Sequence, residues 1–137
     1  MFKLLKAFLD KHDVFFKAQY GFRDKHSTQH AIVDFVNTIQ SNMDKQPGTR
    51  GIFIDLEKAF DTVDHSVLLN KLYHHGIRGI INDWLSSYLS GHTPITEVNS
   101  CISRKQIVPC GVPQDSVLSP LLFLLYINDI FNSSKKV

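Results

Sequence analysis

Residues 117–131, VLSPLLFLLYINDIF, constrain the fold more than any other stretch of this chain. Apolar side chains occupy almost every position, so no single face can be assigned to a core. A helix with that pattern is stable only when buried or covered by a partner. Its longest apolar run, Leu121 to Ile127, falls far short of the ~20 residues that span a bilayer, so nothing here implies a membrane.

The other periodic segments are amphipathic. Phe2, Leu5, Phe8 and Leu9 recur at helical spacing and predict a helix over 2–12. Ser27 or Thr28 can cap a second helix, about 28–45, whose stripe is Ile32, Phe35, Val36, Ile39 and Met43 before Pro47 and Gly48 stop it. Asp64 can cap a third, 65–75, ended by Gly76. A fourth, about 79–90, carries Ile80, Ile81, Trp84, Leu85 and Tyr88, with Trp84 and Tyr88 read as core rather than as a base-stacking platform. Gly51 to Leu56 is too short for a helix and rich in β-formers, which predicts a short strand at 51–56. Thr93–Val98 and Arg104–Val108 read as a hairpin near 93–108, joined around Asn99 and Ser100. The fold class expected is α+β, mostly helical, with few strands.

A length of 137 residues with 43% hydrophobic content suits one globular domain and gives no reason to expect a second. Lys plus Arg exceed Asp plus Glu only by 15 to 13, so charge alone does not argue for a nucleic-acid partner. Cys101 and Cys110 make neither a disulfide framework nor a metal-ligand set, and reduced intracellular thiols are the default. The start MFKLLKAFLDKHD resembles a signal peptide, but Lys6, Asp10 and Lys11 break its apolar stretch. The histidines, His26 with His30 and His74 beside His75 included, lack the Cys or acid partners of a metal site and are expected at the surface.

Three segments carry the chemistry: GFRDKHST at 21–28, FIDLEKAFDTVDH at 53–65 and GVPQDSVLSPLLFLLYINDI at 111–130. In the second, the apolar run Ile52-Phe53-Ile54 ends in Asp55. An aspartate there forms a turn, caps a helix or, on a buried strand, holds a hard cation such as magnesium. Glu57, Asp61 and Asp64 read as a solvated turn residue, a local hydrogen-bonding residue and a helix cap. Arg23 reads equally as a phosphate contact or a solvated surface residue.

In this order the three segments resemble the reverse transcriptases of non-LTR (LINE-type) retrotransposons, with group II intron reverse transcriptases as more distant relatives. The resemblance runs from about Leu4 to Ile130. It implies an incomplete fingers and palm of a right-hand polymerase, spanning 1–137 as one partial domain. It makes Asp55 a catalytic metal ligand, with the Leu56 carbonyl beside it, and places Phe60 under the nucleotide sugar, where its bulk would exclude a 2′-hydroxyl. Gln114 falls beside the incoming nucleotide and template, Gly111 and Pro113 shape its loop, and Arg23 matches a fingers-side arginine suited to a phosphate. The family chemistry uses two Mg²⁺ ions about 4 Å apart, held by carboxylates from separate segments.

Two departures qualify that expectation. Asp115 stands where the family has glycine, adding bulk and negative charge near a triphosphate. No Asp-Asp pair occurs in the chain, so the carboxylates of the family's later palm hairpin, and the thumb after it, have no counterpart here. The reading is a fragment of an RNA-directed DNA polymerase whose parental partners are an RNA template, a DNA primer and deoxynucleoside triphosphates. Mg²⁺ binding is expected to be weak, catalysis absent in this chain alone, and self-association favoured through an incomplete palm sheet. The alternatives are a non-catalytic nucleic-acid-binding remnant and the functionless product of a decayed element.

Overall fold

The computed structural model describes residues 1–45, 48–91, 97–98, 101–102, 110–113 and 116–131. Its centre is the all-apolar segment, helical over Ser119–Ile127 (α5), with Pro120 in the first turn, where its missing N–H costs nothing. Leu121 to Leu125 are all buried, so this helix is wrapped rather than laid on a surface. Even Ser119 is fully buried, and its hydroxyl donates to Pro113 O.

Each wrapping helix contributes an i, i+4 pair of leucines. α1 (Phe2–Lys11) buries Leu5 and Leu9, α3 (His65–His74) buries Leu68 and Leu72, and α4 (Ile80–Ser90) buries Leu85 and Leu89. These side chains join Phe15, Val63, Ile77, Val112 and α5 in one cluster, and α3 packs against both α4 and α5. The start of α3 is set by Asp64, whose carboxylate accepts from Val67 N at 2.9 Å and from the Ser66 hydroxyl at 2.6 Å.

The remaining helix, α2 (Thr28–Lys45), has the bounds its sequence predicts but a different environment. It buries none of its residues, and Ile32, Val33, Phe35, Val36 and Met43 are exposed. Trp84, expected in the core, is 40% exposed and stacks on Tyr88 with ring centroids 5.5 Å apart. The reason is angular: Leu85 and Leu89 define the buried line of α4, and Trp84 sits on its rim.

The strand expected at 51–56 is not formed. Residues 51–56 have no regular secondary structure, and Ile52, Phe53 and Ile54 are 88, 82 and 73% exposed. Strand formation depends on neighbouring strands, and among the described residues no ladder partner lies beside this run. Phe53 packs edge-on against Phe35 of α2 instead, with centroids 5.6 Å apart. A hairpin does occur near its expected place: Glu97–Val98 (β1) pairs antiparallel with Cys101–Ile102 (β2) in the register Glu97↔Ile102 and Val98↔Cys101. The second strand therefore comes earlier than 104–108, which lies outside the described residues, as does 93–96. Among the described residues no helix is long and apolar enough to cross a membrane.

Candidate active site

Backbone hydrogen bonds join two of the motif segments directly. Residues 57–62 form tight turns, with Asp61 N and Thr62 N both donating to Lys58 O at 2.9 and 3.1 Å. The chain then buries Val63 and enters the Asp64 cap. Against this stretch lie residues 110–113: Gly111 N donates to Val63 O at 2.7 Å, Val112 N donates to Phe60 O at 2.9 Å, and Asp64 and Cys110 form an antiparallel bridge. Gly111 has φ +95°, and a Cβ there would lie 3.0 Å from Asp61 O, so both conformation and space call for glycine. That is the loop-shaping part expected of it.

Phe60 brings in the remaining segment. Its half-buried ring stacks on Phe123 of α5, centroids 4.7 Å apart and planes at 28°, and receives the edge of Phe22 at 6.2 Å and 90°. Phe22, Phe60 and Phe123 belong respectively to GFRDKHST, FIDLEKAFDTVDH and the apolar helix. One aromatic line thus ties together three segments far apart in sequence.

Asp55 and Leu56 line a cleft of about 470 Å³ shared with Glu57, Lys71, Tyr126 and Asp129. Asp129 was expected inside the buried helix; instead α5 ends at Ile127 and the Asp129 side chain is 65% exposed. Asn128 makes the turn, accepting from Phe16 N at 2.9 Å and donating to Val14 O at 2.8 Å. Lys71 of α3 pairs with Asp129 at 2.5 Å, donates to Tyr126 O and sits over the Tyr126 ring. The hydrogen bond from Lys71 holds the Asp129 carboxyl below the usual carboxylate range. Beside them, burial and then the positive charge of Lys71 push the His75 imidazole below its ordinary value. The legible signal for Asp129 was a polar Asn-Asp pair closing an apolar run.

Arg23 is placed elsewhere. It is half-buried, donates from Nη1 to Phe16 O at 3.1 Å and lies 5.7 Å from the Phe15 ring centroid. It lines a separate cleft of about 260 Å³ with Lys6, Asp10, Asp13 and Asp24, so it does not share a pocket with Asp55. Gln114 and Asp115 lie outside the described residues. The Asp55 carboxylate and Leu56 carbonyl are oxygen donors of the kind Mg²⁺ takes, but two do not make a site. Among the described residues no group of three His, Cys, Asp or Glu side chains could hold a metal ion.

The three motif segments meet at Phe60 beside a carboxylate cleft, and comparison with known proteins supplies the family. Residues 1–137 match the family described as reverse transcriptase (RNA-dependent DNA polymerase). The chain belongs to that family, and its relatives are proteins of LINE-type, non-LTR retrotransposons. It is 36% identical over 112 residues to the probable RNA-directed DNA polymerase from transposon X-element of Drosophila melanogaster, covering 82% of this chain and 12% of that protein. It is 33% identical over 115 residues to the probable RNA-directed DNA polymerase from transposon BS of Drosophila melanogaster, with the same two coverages. With the RNA-directed DNA polymerase from mobile element jockey of Drosophila funebris it shares 30% identity over 122 residues, covering 86% of this chain and 13% of that protein. The chain thus spans about an eighth of the length of these relatives.

Proposed function

We propose that this chain supplies part of the fingers and the first half of the palm of a right-hand RNA-directed DNA polymerase, and that its Asp55 cleft is one wall of the catalytic centre. The observation carrying this reading is the convergence of the three segments on Phe60, together with the bonds that lock residues 110–113 onto residues 60–65. In this reading Asp55 and the Leu56 carbonyl contribute to a divalent ion whose other ligands come from outside the described residues. Phe60 stands under the nucleotide sugar, held from below by Phe123, and Gln114 approaches the base. Arg23, already anchored on Phe16 O, offers its remaining N–H groups to a phosphate. An RNA template, a DNA primer and deoxynucleoside triphosphates are the partners.

The two donors present do not support a metal-dependent step by themselves. Magnesium affinity of the isolated chain is expected to be weak or absent by titration calorimetry. Micromolar binding abolished by Asp55→Ala would contradict that. The reading as a whole is tested by replacing the matching span of the jockey polymerase with residues 1–137. Primer extension should occur with glycine at position 115, fall with Asp115, and drop about 10³-fold or more with Asp55→Ala, since losing a metal-positioning carboxylate costs several kcal/mol of barrier. Full activity in the Asp55→Ala chimera would refute it. The exposed Ile52–Ile54 run, with the apolar side of α2 beside it, is the surface through which the isolated chain is proposed to self-associate.

A further inference from the structure

The side chain of His65 makes a contact that its own helix does not need. His65 is the first residue of α3, immediately after the Asp64 cap, so its backbone is held by bonds independent of the imidazole. The half-buried ring reaches out of the helix, and Nε2 lies 2.6 Å from Gly111 O. A carbonyl oxygen only accepts, so the proton of this bond resides on Nε2. Both backbone polar groups of Gly111 are then held by the turn leading into α3: the N–H by Val63 O and the C=O by His65. Two residues further on, Pro113 O accepts from the buried Ser119 hydroxyl and from Ser116 N at 3.3 Å. Residues 111–113 are therefore fixed at consecutive points, and His65 is the side chain that reaches across from the Asp55 motif to do so.

We propose that His65 is a positioning residue: by donating to Gly111 O it orients the 111–112 peptide and holds residues 111–113 in place against the Asp55 motif. The clamp rests on the geometry alone. Its consequence for nucleotide binding rests on the polymerase reading above. Neighbouring bonds explain why a side-chain donor is useful here. Gly111 packs with its Cα against the Asp61 backbone, leaving no room for a side chain of its own to anchor the turn.

The test compares the 137-residue chain with His65→Phe, which keeps a ring but loses the donor, and His65→Gln, which keeps an N–H at similar reach. Nitrogen-15 spectra of the wild-type imidazole should show Nε2 as the protonated nitrogen. Hydrogen exchange at Gly111 and Val112 should quicken about fivefold in His65→Phe, the effect of one lost hydrogen bond. It should return to within about twofold of wild type in His65→Gln. Exchange at Leu68 and Leu72 should not change, because the Asp64 cap remains. Unchanged exchange at Gly111 and Val112 in His65→Phe, equal acceleration throughout α3, or a proton on Nδ1 alone would each overturn the proposal. In the jockey chimera carrying Asp115→Gly, nucleotide affinity read as the KM of primer extension should weaken in His65→Phe and recover in His65→Gln. Equal loss in both variants would overturn the positioning role. The predicted exchange pattern in the chain, with no primer extension by that chimera, would uphold the clamp and count against the polymerase reading.

Discussion

Replacing Gly111 by alanine puts the joint between the two motif segments under direct load. Its φ of +95° lies where an L-residue pays about 1–2 kcal/mol. The new methyl would also meet Asp61 O at 3.0 Å and Asp61 Cα at 3.2 Å. Those atoms are backbone within a hydrogen-bonded turn, so relief requires separating residues 110–113 from residues 60–64, an overpacking cost of about 1–3 kcal/mol. The less flexible unfolded chain offsets about 0.4–1 kcal/mol. The expected net loss is about 2–4 kcal/mol. Gly48→Ala is the matched control, with φ +98° and no atom within 4 Å of the added carbon, so it carries only the conformational part, about 1 kcal/mol. Urea denaturation should show the Gly111→Ala midpoint falling by ~1 M or more with an unchanged slope, and the Gly48→Ala midpoint falling by less than half of that. Equal losses in the two variants would show that the close approach to Asp61 contributes nothing, and the reasoning about the joint would fail.

The ion pair in the cleft predicts a small stability effect and a clear titration effect. Lys71→Met should cost no more than about 1 kcal/mol, because the Asp129 side of the pair is largely exposed, and should let the Asp129 carboxyl titrate at a higher pH by NMR. Since Lys71 lowers the folded-state value of Asp129, the pair's contribution is full above the ordinary carboxylate range and lost as pH falls through the lower folded value. That dependence should vanish in Lys71→Met. For His75, burial lowers the folded value, so the unfolded chain binds the proton more readily. Stability should be full above the usual histidine range and decline as pH drops below it, a decline absent from His75→Gln in melts recorded between pH 8 and pH 5. Finally, Ile52→Lys with Ile54→Lys should reduce concentration-dependent association in sedimentation velocity. An unchanged sedimentation profile would remove this run as the contact.

The helices were legible because a helix carries most of its instructions within itself. Ser27 accepts from His30 N through its hydroxyl and from Ala31 N through its carbonyl, so α2 begins where capping residues said it should. Asp64 and Gly76 bracket α3 in the same way, with Gly76 at φ +90°. The run 51–56 had equally strong β-formers, yet a strand borrows its hydrogen bonds from a neighbour, and composition does not reveal whether one is present. Trp84 shows a milder version of the same limit. Periodicity assigns a side chain to a face, but which residues of that face reach the core depends on the neighbouring elements, and α4, packed against α3, buries Leu85 and Leu89.

The site divides along a similar line. Asp55, Phe60 and Gly111 were named through the family resemblance of their segments, and the glycine at 111 is explained by its φ of +95° and its close approach to Asp61. What no segment contains is the distance to another. Asp129 enters the cleft of Asp55 because α5 is only nine residues long, about 13–14 Å, and is stopped by Asn128 rather than by its own last turn. Asn128 stops it by spending both halves of its amide on Val14 O and Phe16 N, atoms more than a hundred residues earlier in the chain. The carboxylate after it is thereby turned toward α3, where Lys71 meets it. A polar pair at the end of an apolar run is visible in the sequence, and its meaning follows from burial energetics. An Asn there must find partners for an amide at the edge of the core, and the loop after α1 supplies a carbonyl and an N–H. Cutting that connection with Asn128→Leu would remove the bonds that place Asp129, which makes the loop at 14–16, outside the three motif segments, part of what shapes the cleft.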